Sequence, residues 1–278
     1  MSPIISSSQL KKLSPENLII LDARVGKDVH QTYLEKHIKD ARFIDLDKDL
    51  AEIGENAAFG GRHPLPDITK FAETLSRLGI SEDSHVVIYD DKNGANAAAR
   101  AWWMLRSFGL QNVQVLDGGF QAAEKEGIEF SSGEETLEKV SVIKKEDWLL
   151  PVKILEDVEN EIINHSSTIV DVRDAYRYKG ESEPIDLVAG HIPGAINIPF
   201  SENLDENGSF LKPEVLKEKY KELLKNKPPH LIIHCGSGVT ACHTILALDY
   251  AGFPIPDLYV GSWSEWSRRE GKEIAKEG

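Results

Sequence analysis

The residues best suited to chemistry form the stretch from Cys235 to Ala241, which reads Cys-Gly-Ser-Gly-Val-Thr-Ala. An apolar run at 231–233 before it predicts a buried parallel strand, and apolar residues at helical spacing after it predict a helix that Gly252 ends. A cysteine in such a loop faces backbone N–H groups and the positive end of the helix dipole. Both features favour a thiolate, so Cys235 is predicted to be a nucleophile. The alternative is a buried structural cysteine in an ordinary strand-to-helix loop.

Composition restricts the classes of partner. The chain has 278 residues, enough for about two domains, with 41% hydrophobic and 28% charged residues, as is typical of soluble globular proteins. A net charge of −14 argues against nucleic acids and anionic membranes, because both require a basic surface. No apolar run approaches the roughly 20 residues that span a bilayer, and the N-terminal sequence does not resemble a secretory signal. No membrane partner is therefore expected.

The two cysteines, Cys235 and Cys242, lie seven positions apart on the predicted loop and helix. Their Cα atoms would be too distant for an unstrained disulfide. Two unpaired thiols predict a reducing, cytoplasmic environment. The cysteines and scattered histidines do not follow the spacing of a zinc site, so no metal or cofactor is expected.

The two halves of the chain repeat one pattern. The matched segments are residues 17–24 with 168–173, 37–46 with 191–200, 85–90 with 231–234, 97–105 with 241–248, and 113–120 with 258–263. Alternating strands and helices predict an α/β fold with two tandem domains, each a mostly parallel sheet with helices on both faces. The domains are expected at 1–129 and 152–278, joined by a polar linker at 130–151 in which Trp148 packs along the domain interface.

Four motifs together resemble a known family over almost the whole chain. They are Asp171-x-Arg173, the segment Gly190-His191-Ile192-Pro193-Gly194-Ala195, the Cys235 loop, and Gly261-Ser262-Trp263. With these motifs the chain resembles the two-domain sulfurtransferases of the rhodanese superfamily. The resemblance implies that Cys235 accepts sulfur as a persulfide. It also implies an inactive first domain, because Asp91 is matched to Cys235 in the first half.

The resemblance also implies a set of site residues. Ser237, His63 and Asp47 would form a Ser–His–Asp proton relay, with Asp45 as the alternative acid. Arg177 would bind the carboxylate of the substrate, and Arg173 is either a further substrate contact or the structural partner of an acid. The loop residues expected to line the substrate are Gly236, Gly238, Val239 and Thr240.

The loop is similar to that of sulfurtransferases that take sulfur from 3-mercaptopyruvate and release pyruvate. Vertebrate thiosulfate enzymes carry Arg and Lys at the positions of Gly236 and Ser237, where basic groups suit a dianion. The chain departs from the mammalian mercaptopyruvate pattern at Ile185, where a second arginine is expected. Thiosulfate therefore stays open as the donor. The implied acceptors are a thiol, such as thioredoxin, or cyanide.

Two other functions are weighed against sulfur transfer. A phosphatase with a similar cysteine loop needs an arginine at the end of the loop, where this chain has Thr240 and Ala241. A non-catalytic, sulfur-sensing module is disfavoured by the intact loop, because inactive copies usually lose the cysteine. Sulfur transfer from 3-mercaptopyruvate is the preferred prediction, with thiosulfate as the alternative donor.

Overall fold

The computed structural model describes residues 1–136 and 138–277. These residues form two compact units, each with its own five-stranded parallel sheet. The first unit comprises Met1–Glu52, Pro66–Leu149 and Asn207–Ser209. The second comprises Ile53–Leu65, Leu150–Glu206 and Phe210–Gly278, of which Gly278 lies outside the described residues.

In the first unit, the main sheet has the strand order β1-β6-β5-β2-β4. The strands are β1 (Ile4–Ile5), β2 (Leu18–Asp22), β3 (His37–Ile38), β4 (Ala41–Phe43), β5 (His85–Tyr89), β6 (Val113–Leu116) and β7 (Phe130–Ser131). The helices are α1 (Ser7–Leu10), α2 (Val29–Glu35), α3 (Ile68–Arg77), α4 (Ala97–Phe108) and α5 (Gly119–Lys125). Strands β3 and β7 form a separate antiparallel pair.

In the second unit, the sheet has the order β10-β9-β11-β12-β8. The strands are β8 (Val152–Lys153), β9 (Thr168–Asp171), β10 (Ile196–Asn197), β11 (Leu231–His234) and β12 (Asp257–Tyr259). The helices are α6 (Leu155–Asn164), α7 (Ala175–Lys179), α8 (Pro213–Leu223), α9 (Ala241–Tyr250) and α10 (Ser262–Trp266), with a 3₁₀ helix at Phe200–Asn203. Helix α9 is buried along most of its length, as its apolar sequence predicts.

The predicted repeat and the predicted α/β class are confirmed. In both units the third strand of the sheet is flanked by the strand that ends in aspartate, Asp22 in β2 and Asp171 in β9. The strands β5 and β11 are central, so their apolar residues other than Leu231 are buried on both faces, as is typical of parallel sheets. The loop that carries Cys235 begins directly after the carboxyl end of β11.

The compact units differ from the predicted domain boundaries in three segments, one of which is Asn207–Ser209, predicted in the second domain but found in the first unit. Residues 53–65 belong to the second unit, although they precede most of the first unit's helices in sequence. The described part of the predicted linker up to Leu149 belongs to the first unit; Leu137, within that linker, lies outside the described residues. Trp148 packs within the first unit, with its ring centroid 5.3 Å from that of Phe71 and 6.3 Å from that of Trp103, because aromatic burial outweighs the polar character of the segment.

None of the helices in the described parts of the chain combines the length and the apolar character that crossing a membrane requires.

Candidate active site

Cys235 lies at the carboxyl end of β11, where the central strand turns into the loop before α9. The residue is 2% exposed, and its backbone N–H donates to Ser262 Oγ at 3.2 Å. Two amides of α10 hold the start of the loop, because Trp263 N donates to Cys235 O at 3.0 Å and Ser264 N donates to Gly236 O at 2.8 Å. Helix α10 thus fixes the carbonyl groups of Cys235 and Gly236.

Gly238 gives the loop its tight path. Its φ of +72° lies in the left-handed region, and a Cβ atom there would stand 2.5 Å from the carbonyl oxygen of Val260. Only glycine satisfies both conditions without a shift of the backbone. Val239 is buried, Thr240 is half-buried, and both lead directly into α9. The predicted loop residues, Gly236, Gly238, Val239 and Thr240, therefore lie on one continuous turn directly after Cys235.

The loop amides are available to an anion. Among the described residues, the N–H groups of Ser237, Val239 and Thr240 meet no hydrogen-bond acceptor. Together with the N-terminus of the ten-residue helix α9, they form a cradle for negative charge. A persulfide on Cys235 is an anion of suitable size for such a cradle.

In the corresponding loop of the first unit, the side chain of Asp90 already bonds the backbone N–H groups. The carboxylate of Asp90 accepts hydrogen bonds from four backbone N–H groups, those of Lys92, Gly94, Asn96 and Ala98, at 2.8 to 3.3 Å. Burial raises the pKa of Asp90, and the four hydrogen bonds oppose that shift. The first unit therefore presents an occupied loop where the second presents a thiol.

The match of Asp91 to Cys235 is wrong by one residue. Tyr89 pairs with Asp22 in the first sheet, and His234 pairs with Asp171 in the second. Tyr89 and His234 are thus equivalent, and the residues that follow them are Asp90 and Cys235. The sequence match failed because helix α4 begins one position later relative to its strand than α9 does.

His63 and Ser237 are in contact. The Nδ1 atom of His63 lies 2.8 Å from Ser237 Oγ, and Ser237 is 5% exposed. The segment that carries His63 is held in the second unit by two hydrogen bonds, from Gly60 N to Glu265 Oε1 at 2.9 Å and from Arg62 N to Ser264 Oγ at 3.0 Å. A carboxylate that orients this imidazole would act on its other nitrogen, Nε2.

Asp47, the predicted acid of the relay, lies in the first unit and is exposed. Its backbone N–H donates to Asp45 Oδ1 at 2.9 Å, and Asp45 also accepts from Lys48 N at 3.2 Å. Asp45 therefore caps its own turn, which disfavours it as the alternative acid. The role of Asp47 stays a prediction.

Arg177 lies beside the loop. If Gly236 carried a Cβ atom, that atom would be 3.5 Å from Nη2 of Arg177. The Nε group of Arg177 donates to both oxygens of Glu183 at 3.0 Å, and Nη2 lies 3.3 Å from Asp186 Oδ2. Burial lowers the pKa of Arg177, but Glu183, Asp186 and the nearby Cys235 outweigh it and raise that pKa. A guanidinium fixed in this way is suited to bind a carboxylate next to Cys235.

Arg62 and Arg268 bond Asp186 together with Arg177, and neither was predicted as a site residue. The Asp186 carboxylate accepts from Arg62 Nε at 3.1 Å and from Arg268 Nη1 at 2.9 Å, in addition to Arg177. Arg268 also donates to the backbone oxygen of Ser264. The sequence offered one signal for Arg62, since it directly precedes His63, but the side chains meet only through folding.

Arg173 occupies a structural position. Its Nε and Nη2 atoms bond both oxygens of Asp171 at 2.6 to 3.0 Å, and Nη2 also donates to Gly190 O at 2.6 Å. In the first unit, Nε and Nη2 of Arg24 bond both oxygens of Asp22 in the same way, although no cysteine follows the central strand there. The side chain of Arg173 is 1% exposed. This geometry favours the structural alternative over substrate contact.

We expect Arg173→Met to destabilise the second unit by about 3–5 kcal/mol at pH 7, because the buried Asp171 carboxylate would lose its guanidinium partner. Burial opposes ionisation of Asp171, but His234 and Arg173 hold its pKa below the usual value. A depressed pKa stabilises the fold above about pH 4, and this contribution is lost as the pH falls. The stability difference between wild type and variant should therefore shrink on acidification, as urea denaturation at pH 7 and pH 4 would measure.

Arg24→Met is the matched control, because it removes the equivalent arginine–aspartate pair from the first unit. A similar loss of stability in both variants fits a structural role. A stable Arg173→Met protein with a raised KM for the sulfur donor would instead support a substrate-binding role for Arg173.

Comparison with known proteins supports one family. The Rhodanese-like domain family matches the chain twice, at residues 6–126 and 155–269. A probable 3-mercaptopyruvate sulfurtransferase from Pseudomonas aeruginosa is 41% identical over 98% of this chain and 97% of its own length. The thiosulfate sulfurtransferase of Gallus gallus is 37% identical over 87% of this chain and 82% of its own length. The crystal structure of SseA from Escherichia coli, described as a 3-mercaptopyruvate sulfotransferase, covers 95% of this chain and 100% of its own at 30% identity, with a TM-score of 0.80.

Proposed function

The chain belongs to the rhodanese family, and we propose that it is a sulfurtransferase that takes sulfur from 3-mercaptopyruvate through a persulfide on Cys235. The observation that carries the proposal is the loop after β11. It holds a buried cysteine, backbone amides that meet no acceptor in the described parts of the chain, and Ser237 bonded to His63. The relatives named as 3-mercaptopyruvate sulfurtransferases support the choice of donor.

The first half-reaction loads sulfur onto the enzyme. The Cys235 thiolate attacks the sulfur of 3-mercaptopyruvate, an S–S bond forms, and the C–S bond of the donor breaks. The electron pair of that C–S bond passes to the carbon and gives the enolate of pyruvate. Protonation of the enolate carbon then yields pyruvate. The loop amides of Ser237, Val239 and Thr240 stabilise the negative charge of the persulfide.

The Ser237–His63 pair supplies the proton in this proposal. A hydroxyl 2.8 Å from an imidazole nitrogen can pass a proton to the enolate and recover one from the histidine. Arg177 holds the donor carboxylate, which positions the sulfur at Cys235. Asp47 is proposed as the acid that orients His63.

The second half-reaction removes the outer sulfur. A thiol acceptor, such as thioredoxin or a small thiol, attacks as a thiolate and leaves with the sulfur as its own persulfide. Cyanide takes the same atom and becomes thiocyanate. In either case the Cys235 thiolate is regenerated, so the two substrates act in turn.

A steady-state comparison of two donors tests the proposed function. We expect kcat/KM to be at least about tenfold higher for 3-mercaptopyruvate than for thiosulfate, with cyanide or reduced thioredoxin as acceptor, because the loop lacks basic side chains for a dianion. Formation of pyruvate and thiocyanate would be followed separately. Absence of turnover with both donors would contradict sulfur transfer and favour a sensing module.

Thiosulfate is the second candidate donor, and one structural feature favours it. Arg62, Arg177 and Arg268 gather beside the loop and supply positive charge that the loop itself lacks. The similarity to a protein named thiosulfate sulfurtransferase is consistent with this alternative. A higher kcat/KM for thiosulfate in the same assay would establish it as the preferred donor.

We propose a cytoplasmic location and no nucleic-acid or membrane partner. Cys235 and Cys242 are both reduced cysteines in the structure, which suits a reducing compartment. The net charge of −14 disfavours polyanionic partners. Fractionation of cells that express the tagged chain would test the location.

A further inference from the structure

We propose that Ser262 is a positioning residue for the nucleophile, because its side chain sets where the backbone of Cys235 lies. The inference rests on the proposed function and adds to it a residue that acts through Cys235. Three observations carry it: the backbone conformation of Ser262, the hydrogen bonds of its hydroxyl, and the duplicated position in the first unit.

Ser262, the first residue of α10, has a backbone conformation that serine seldom adopts. Its φ is +53°, in the left-handed region, where the Cβ atom of an L residue is crowded. Six other non-glycine residues in the described parts of the chain have positive φ, and all are asparagine, aspartate or histidine, the types most often found there. Ser262 is also fully buried. Strain of this kind persists where the surroundings impose it, and it is concentrated at functional sites.

The hydroxyl of Ser262 bonds Cys235 directly. The backbone N–H of Cys235 donates to Ser262 Oγ at 3.2 Å, and the hydroxyl in turn donates to Tyr259 O at 2.8 Å. Each bond has one possible direction, because an amide N–H only donates and a carbonyl oxygen only accepts. The Cys235 carbonyl accepts from Trp263 N, so both backbone polar groups of Cys235 are bonded to the start of α10. These bonds fix the direction of the Cα–Cβ bond that carries the thiol.

The first unit has a glycine in place of this serine. The amide of Phe120 donates to Asp90 O at 2.9 Å, as the amide of Trp263 does to the carbonyl of the cysteine. Gly119, one residue earlier, is therefore the equivalent of Ser262. Its φ is +56°, which glycine adopts without strain. Of the two equivalent positions, only the one beside the cysteine carries a strained serine.

The serine also changes the spacing between the loop and α10. A Cβ atom at Gly119 would lie 2.2 Å from Asp90 O, closer than two non-bonded atoms can stand. In the first unit, the carbonyl of Asp90 thus uses the space of a side chain. The carbonyl of Cys235 cannot take the equivalent place, because Ser262 has a Cβ atom. Ser262 therefore holds the cysteine backbone farther out and bonds its N–H there.

The test compares Ser262→Gly with Ser262→Ala, since both remove the hydroxyl but only glycine removes the Cβ atom and the strain. We expect Ser262→Gly to slow persulfide formation from 3-mercaptopyruvate in a single turnover by about 10- to 100-fold, because the nucleophile loses its alignment. Ser262→Ala keeps the spacing and should slow this step by only about 3- to 10-fold. KM should stay within about threefold in both, because Arg177 is unchanged.

Thermal unfolding gives the opposite order. Ser262→Gly should melt about 2–4 °C above Ser262→Ala, because glycine relieves the left-handed backbone. The more stable variant is thus expected to be the slower enzyme. If Ser262 only stabilised the fold, the less stable alanine variant would be the slower one. That order, or an unchanged rate in Ser262→Gly, would overturn the proposal.

Ser84→Ala serves as the control for loss of a buried hydroxyl. Ser84 is 3% exposed, and its Oγ accepts from the backbone N–H of Ser81 at 2.9 Å. The control therefore removes an equivalent bond from a turn that precedes β5 in the first unit. We expect it to form the persulfide at the wild-type rate. Slowing equal to that of Ser262→Gly would contradict a specific role for Ser262.

A crystal structure of Ser262→Gly separates this inference from the proposed function. We expect the backbone of Cys235 to move toward residue 262 by about 0.5 Å or more, into the space that the lost Cβ atom leaves. An unmoved backbone would overturn the role of Ser262, whatever reaction the protein catalyses. Failure of the wild type to form a persulfide from 3-mercaptopyruvate would contradict the proposed function, whereas the displacement decides the role of Ser262.

Discussion

Cys235→Ser should abolish sulfur transfer from 3-mercaptopyruvate and from thiosulfate, with a loss of at least about 10⁴-fold in kcat. The hydroxyl of serine has nearly the size of the thiol, so the loop and its hydrogen bonds to α10 should be retained. Serine cannot, however, form a persulfide. Steady-state assays with cyanide as acceptor would measure the loss.

Cys242→Ser is the control for this experiment. Cys242 is fully buried on α9, and its Sγ donates to Gly238 O at 3.4 Å, so the protein already holds it in place. We expect the control to keep its persulfide-forming activity. Mass spectrometry after incubation with donor should find one added sulfur atom in wild type and in Cys242→Ser. Turnover by Cys235→Ser would rule out the persulfide mechanism.

His63→Gln should lower the rate of persulfide formation from 3-mercaptopyruvate by about 10²–10⁴-fold, the usual contribution of a general acid or base. Glutamine can still accept a hydrogen bond from Ser237, but it cannot deliver a proton. Since Arg177 is unchanged, KM should change much less than kcat. Stopped-flow measurement of pyruvate release in a single turnover would give this rate.

The second half-reaction gives an internal comparison for the same variant. Transfer of sulfur from preloaded enzyme to cyanide involves no enolate, so His63→Gln should slow that step far less. His230→Gln is the matched control, because His230 Nδ1 lies 2.7 Å from Ser167 Oγ before the opposite end of β11. Equal slowing of both half-reactions would point to a structural role for His63 instead of proton transfer.

Much of the fold follows from local sequence. Three short-range signals predicted the two-sheet architecture, and the structure confirms it. They are the apolar runs that form β5 and β11, the glycines of the cysteine loop, and the duplicated Asp-x-Arg motif. The sequence left open whether Arg173 contacts the substrate or pairs with an acid. In the structure Arg24 and Arg173 each bond the aspartate two residues earlier. Residue spacing was less reliable where loop lengths differ, as the one-residue error at Asp90 and Asp91 shows.

The sequence by itself determined the duplicated α/β architecture and the place of Cys235 at a strand end, because strand period, glycine content and helix start are properties of adjacent residues. Only the tertiary structure decided that residues 53–65 pack in the second unit, where Gly60 and Arg62 bond side chains more than 200 residues away. The same is true of the cluster of Arg62, Arg177 and Arg268 on Asp186. Such contacts depend on which surfaces pack together, and no local pattern encodes that choice.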